Sequence, residues 1–136
     1  GRGVPKNEAC AVDWYRKSAE QGDAKAQSNL GFMYMNGRGV SMDETQAAAW
    51  YKRAAEQGDA KAQYNFGFMN LNGRGVPKSE SCAVEWYSKA ADQGYSTAQY
   101  SLGFMYENGC GVPIDRTRAE EWYKKAAKDP SLPRRT

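Results

Sequence analysis

The stretch Ala48-Ala49-Trp50-Tyr51-Lys52-Arg53-Ala54-Ala55-Glu56-Gln57-Gly58-Asp59-Ala60-Lys61-Ala62-Gln63-Tyr64-Asn65-Phe66-Gly67 reads as the end of one helix, a tight turn and the start of another. Ala47, Trp50, Tyr51 and Ala54 follow the i, i+3, i+4, i+7 spacing of a helix with one buried face. Gly58 suits the left-handed position just past a helix end. Asp59 then offers a side-chain oxygen to the unpaired N–H groups of the next first turn. So short a connection makes the two helices an antiparallel pair.

Working outward, the same pattern returns at a step of 36 residues. Trp14-Tyr15, Trp50-Tyr51, Trp86-Tyr87 and Trp122-Tyr123 share one phase. Gly1-Arg2-Gly3-Val4, Gly37-Arg38-Gly39-Val40, Gly73-Arg74-Gly75-Val76 and Gly109-Cys110-Gly111-Val112 share another. A fixed period of this size is the mark of stacked copies of one supersecondary unit. Seven helices are expected, near 7–21, 23–36, 43–57, 59–72, 79–93, 95–108 and 115–128, with no sheet, because no segment alternates with period two. Asn7, Asp43, Ser79 and Asp115 are the expected N-caps of the first helix of each copy. The recurring face of that helix is Ala11, Trp14, Tyr15 and Ser18 in the first copy, and its counterparts in the others. In the second helix, Gly31, Gly67 and Gly103 each cost about 1 kcal/mol relative to alanine. Their repetition implies a neighbouring helix too close for a Cβ. Val40, Val76 and Val112 are expected to plug the seam to the following copy.

The domain reading is a solenoid over 1–129, with helix pairs near 7–36, 43–72 and 79–108 and a lone helix at 115–128, followed by a polar tail over 130–136. Pro130 stands where the other copies have their turn, and proline cannot adopt a positive φ. The array is therefore expected to stop there, in a tail whose Arg134-Arg135 is a solvated end. At the other end the chain opens inside a repeat loop, so natural sequence is expected before Gly1, and the face of the first helix is left open.

Composition narrows the function. Apolar residues make up 40% and charged residues 26%, which suits a soluble folded chain. The absence of histidine removes the commonest general base and the imidazole metal ligands. A net charge of +3 without any block of like charges provides no strong field for nucleic acid. No apolar run approaches the ~18–20 residues that span a bilayer. Cys10 and Cys82 share a phase two periods apart, too far for a disulfide when packed helices stand ~8–10 Å from each other. With Cys110 in a loop, three unpaired thiols favour a reducing compartment, although a periplasmic or secreted location stays open. There is no Cys-x-x-Cys, so no metal site is expected. Gly-x-Gly-Val-Pro lacks the third glycine and the Gly-Lys-Ser/Thr ending of a phosphate loop. No cofactor is expected.

The quoted stretch, together with the loop Asn72-Gly73-Arg74-Gly75-Val76-Pro77, resembles the Sel-1-like repeat family, relatives of the tetratricopeptide repeat. The match covers nearly the whole chain in about three and three-quarter copies. It departs at Asn70, where the other copies have tyrosine, at Tyr95 in place of the capping aspartate, and at Cys110 in place of the loop arginine. The resemblance implies an all-α, right-handed α-solenoid and an adaptor role in protein assembly. Members of the family occur in bacterial host interaction, signalling and eukaryotic quality control, and most lack catalytic activity.

A stack of repeats offers an extended surface rather than one deep pocket. The rows opposite the buried face of the first helices should line its concave side. They are expected to bind a protein or peptide through Asp13, Arg16, Ala49, Lys52, Glu85, Ser88, Glu121 and Lys124. Self-association through the open ends is the alternative, and a hydrolase using Cys110 or paired carboxylates is a third. Neither nucleic acid nor direct membrane insertion is expected.

Overall fold

A computed structural model describes residues 6–132. The first Gly-x-Gly-Val copy, Pro5 and Arg134-Arg135 lie outside the described residues. Seven helices follow in order: α1 (Lys6–Glu20), α2 (Ala24–Asn36), α3 (Glu44–Glu56), α4 (Ala60–Asn72), α5 (Glu80–Asp92), α6 (Ser96–Asn108) and α7 (Arg116–Ala126). No strand occurs among the described residues. Each helix packs mainly on the helices before and after it in the chain, which is the one-dimensional stacking of a solenoid.

The tight turns form as their residues require. At the end of α3, the Asp59 N–H donates to the Ala54 carbonyl at 3.2 Å and the Gly58 N–H to Ala55 at 3.0 Å. This Schellman pattern satisfies two carbonyls that the helix leaves unpaired. The Asp59 carboxylate then accepts from the Ala62 N–H at 2.9 Å, capping α4. Asp23, Asp43, Ser79 and Asp115 cap their helices in the same way. Tyr95 makes no side-chain cap bond; its ring packs on Tyr64, with centroids 5.5 Å apart. Asn7 departs from expectation. Helix α1 runs from Lys6, so Asn7 is already inside it and cannot act as its N-cap.

Each repeat has its own buried cluster. Val12, Ala19, Ala26 and Leu30 form the first, a set around Tyr51 and Phe66 the second, and a set around Tyr87 and Leu102 the third. Trp50, Trp86 and Trp122 pack from the following repeat against these clusters and join them. The seam between repeats is where the mid-helix glycines act. A Cβ on Gly31, Gly67 or Gly103 would lie 2.9, 2.9 and 2.8 Å from the ring of Tyr51, Tyr87 and Tyr123 respectively. The excluded atom makes room for the tyrosine of the next repeat.

Buried glutamines cross both kinds of junction. Gln27, Gln63 and Gln99 each donate from Nε2 to the carbonyl of Ala19, Ala55 and Ala91 within their own repeat. Their free oxygens face the following repeat: Gln57 donates to Gln27 at 2.8 Å, and Gln93 to Gln63 at 3.0 Å. At the fourth copy Asp129 replaces the donor and instead accepts from Ser96 Oγ at 2.5 Å.

The loops after the second helices turn back rather than forward. A Cβ on Gly39 would lie 2.5 Å from the Glu8 carbonyl, and one on Gly111 2.7 Å from that of Glu80. Both glycines have positive φ, 78° and 72°, so space and backbone conformation both demand glycine. Val40, Val76 and Val112 accordingly pack on the cluster of the repeat they follow. They seal their own repeat, where a plug between copies was expected. Arg38 pairs with Glu8 at 3.2 Å, and Arg74 with Glu44, to hold the same closure. Cys110 takes that arginine's place and packs half-buried against the third cluster.

The outer helices differ. Trp14 is 72% exposed, on the face of the first helix that was expected to be open; Trp50, Trp86 and Trp122 are half-buried. The four share a phase, and only Trp14 has no described helix before it. On α7 the position buried as Val12, Ala48 and Val84 is Glu120, which is exposed.

Candidate interaction surfaces

Two faces of the stack are open to solvent. The first is carried by α1, α3, α5 and α7. Here Asp13, Ala49, Lys52, Glu85, Glu121 and Lys124 are exposed and Arg16 and Ser88 half-buried. They lie in equivalent positions of successive repeats rather than in one pocket. Arg16 is partly committed: its guanidinium donates to Tyr34 Oη at 2.9 Å and sits 3.6 Å from Asp13. Along the stack Asp13, Ala49, Glu85 and Glu121 form one row without a base, and Arg16, Lys52, Ser88 and Lys124 a parallel row without an acid, so this face presents adjacent acidic and basic stripes.

Beside it runs a row that the sequence reading overlooked. Lys17, Arg53, Lys89 and Lys125 are exposed, all basic and of one phase. Arg53 lies 4.5 Å from the Trp50 ring centroid, Lys89 4.4 Å from Trp86 and Lys125 4.6 Å from Trp122. Such cation–π contacts contribute about 0.5–1 kcal/mol at exposed sites. The same half-buried tryptophans thus meet the preceding cluster and carry a cation over the ring. The signal was legible, since a constant charge at one phase in all four copies is not what a merely solvated face needs.

The second face is carried by α2, α4 and α6. Phe32, Phe68 and Phe104 share a phase and are 47%, 36% and 53% exposed. Phe32 and Phe68 flank a cleft of about 260 Å³ whose lining includes Tyr51, Met35 and Lys61. Sequence reasoning also passed over this row, because it followed only the buried phases of the second helices.

Electrostatics add little chemistry. Burial pushes the hydroxyls of Tyr51 and Tyr87 well above the ordinary tyrosine range. The Ser96 hydroxyl, followed by the Ser131 hydroxyl and N–H, holds the Asp129 carboxyl below its usual value. No group of three or more Cys, Asp or Glu among the described residues is placed to hold a metal. No helix among them is long and apolar enough to cross a membrane. Cys10 and Cys82 lie exposed and Cys110 half-buried, all as free thiols.

Stacked helix pairs with long open faces define a helical-repeat protein of the solenoid class. The model of the Sel1 repeat matches the chain four times, over residues 1–23, 24–59, 60–95 and 96–130. The chain belongs to the Sel1 repeat family. It is 44% identical to a protective antigen of uropathogenic Escherichia coli strains displaying an SLR fold, over 86% of this chain and 25% of that one, with a TM-score of 0.83. It is 43% identical to a Sel1 repeat protein from Oxalobacter formigenes, over 93% of this chain and 52% of the other, with a TM-score of 0.86. The chain thus spans about a quarter and about half of these two relatives. Cysteine rich protein B of Helicobacter pylori shares the fold, with a TM-score of 0.73 at 23% identity, over 94% of this chain and 92% of that one. No curated protein matches the chain. Sel1 repeat proteins are generally protein-interaction scaffolds and typically non-enzymatic.

Proposed function

We propose that this chain is a non-enzymatic adaptor that binds a protein or peptide along the solvent face of α1, α3, α5 and α7. The observation that carries it is a constant frame bearing a changing row: Tyr51, Tyr87 and Tyr123 seat on the same glycine in each repeat. The row beside them reads Asp13, Ala49, Glu85 and Glu121, then Arg16, Lys52, Ser88 and Lys124. A frame that holds position while the row varies is what discrimination between partners requires. Affinity capture from lysate of the source organism tests this reading, comparing the natural chain with a Lys52→Glu, Glu85→Lys, Lys124→Glu variant. The partners of the natural chain should be lost from the variant; an unchanged set removes the assignment.

Trp14 favours a second reading, self-association through the open face of α1, because its ring is 72% exposed while its counterparts are half-buried. Sedimentation that stays monomeric at high concentration eliminates it.

A further inference from the structure

We infer that the fourth copy carries a small-molecule site between the start of α6 and the end of α7, and that its ligand is a zwitterion of the α-amino-acid type, an ammonium close to a carboxylate. The cavity there is about 440 Å³ and is lined by Gly94, Ser96, Gln99, Lys125, Lys128 and Asp129. That volume lies within the roughly 300–1,000 Å³ of small-molecule sites.

The preceding copy shows what the polar floor accepts. There a single nitrogen, Gln93 Nε2, donates to the Gly58 carbonyl at 2.8 Å and to Gln63 Oε1 at 3.0 Å. The same two acceptors recur one copy on as Gly94 and Gln99. Gln99 is 8% exposed and spends its Nε2 on the Ala91 carbonyl. In the donor's place stands Asp129, whose carboxylate has no proton to give. Neither the Gly94 carbonyl nor Gln99 Oε1 meets a donor among the described residues. No sealed side-chain oxygen or nitrogen among them lacks a partner, so the Gln99 oxygen opens onto the cavity. A ligand nitrogen with at least two hydrogens satisfies both acceptors, as Gln93 does one copy earlier.

The charges around that floor select the rest of the ligand. Three of the six lining positions change together at this copy. Ala24 and Ala60 give way to Ser96, the acids Glu20, Glu56 and Asp92 to Lys128, and Gln21, Gln57 and Gln93 to Asp129. The hydrogen bond from Ser96 Oγ to Asp129 at 2.5 Å links two of these changes and leaves Lys128 unexplained. Asp129, held below its usual pKa first by the Ser96 hydroxyl and then by Ser131, stays charged. A carboxylate beside the acceptors favours an ammonium over a neutral amide. Lys125, 4.6 Å from the Trp122 ring centroid, and Lys128 add positive charge, and no ion pair of either lysine occurs among the described residues. A carboxylate next to the ammonium meets these two cations. A simple anion would face Asp129, and a simple cation the lysines, so the site discriminates against both.

Isothermal titration of the intact chain with a panel of free L-amino acids tests the inference. At least one should bind, and its N-acetyl and carboxamide forms, each lacking one charge, should bind at least about tenfold more weakly. The double variant Lys128→Asp, Asp129→Gln restores the acid–amide pair of the earlier copies. It should lose about tenfold or more in affinity while keeping the helical circular-dichroism signal. Lys128→Asp alone, at an exposed position, should weaken binding in the same direction. Lys52→Glu and Glu85→Lys lie outside the cavity and should leave the affinity unchanged, which separates this site from the row proposed above. No binding by any amino acid of the panel, equal affinity of the blocked forms, or undiminished affinity in the Lys128 variants overturns the inference.

Discussion

Helix α4 meets its two neighbours in different ways. Toward α3 the junction is a hairpin: a Schellman turn, a capped helix start and the Gln63 side chain on the Ala55 carbonyl. Toward α5 it is a seam in which Gly67 admits the Tyr87 ring, Phe66 meets Trp86 edge-on at 5.5 Å, and Tyr64 stacks on Tyr87 at 5.1 Å. The helices pack more extensively across the seam than across the hairpin. The hairpin sets direction through short-range backbone bonds, whereas the seam supplies most of the aromatic burial. Cohesion therefore belongs to the seam more than to the hairpin.

Alkali should separate the two junctions most completely. The seam tyrosines Tyr51 and Tyr87 hold their protons to higher pH when folded than when unfolded, chiefly through burial. A raised folded value means their contribution is intact below the unfolded value of about 10 and is lost as pH rises beyond it. Helical circular dichroism should collapse above about pH 10 together with the tyrosinate absorbance of these rings. Tyrosinate forming with helicity intact would show that the seam is not sealed.

A smaller effect comes from opening one seam. Tyr87→Ala should cost about 3–5 kcal/mol in urea unfolding, in the range of large aromatic deletions. Gly67→Ala alone should cost about 1–3 kcal/mol through overpacking, despite a helix-propensity gain of about 1 kcal/mol. In the Tyr87→Ala background Gly67→Ala should turn stabilising, because the clash has gone. Additive costs in that double-mutant cycle would show that the two residues do not share the contact.

The finest test uses the helix that has a hairpin but no described seam before it. Trp86→Ala should cost about 2 kcal/mol, whereas Trp14→Ala should stay within about 0.5 kcal/mol, the range of exposed positions. Equal costs would mean that Trp14 is covered in solution, which chemical unfolding at two protein concentrations would reveal.

Most of this architecture could be read from the residues. The period, the seven helices, the capping aspartates and the close approach at Gly31, Gly67 and Gly103 follow from spacing and residue type. What spacing could not say was which neighbour makes each contact. A helical wheel assigns Gly67 to a crowded face, but only the fold shows that the ring of Tyr87, a copy further on, fills it. Val76 was misassigned for the same reason, since its loop returns to Glu44 rather than advancing. Asn7 was assigned by its phase, although the helix begins before it. The exposed rows were partly missed because attention to the apolar period hides what repeats on the outside, the cations over tryptophan and the phenylalanines of the second helices.

The glutamine relay has a consequence for how such a chain can grow. Gln63 accepts a hydrogen bond from Gln93 as Gln27 does from Gln57, and its own amide donates to the same kind of carbonyl. Splicing in one more whole unit between the second and third would leave each donor matched and each acceptor filled. Gene duplication in steps of a full unit is thus structurally silent in the interior, whereas an insertion of another length within a helix puts the glutamines out of phase.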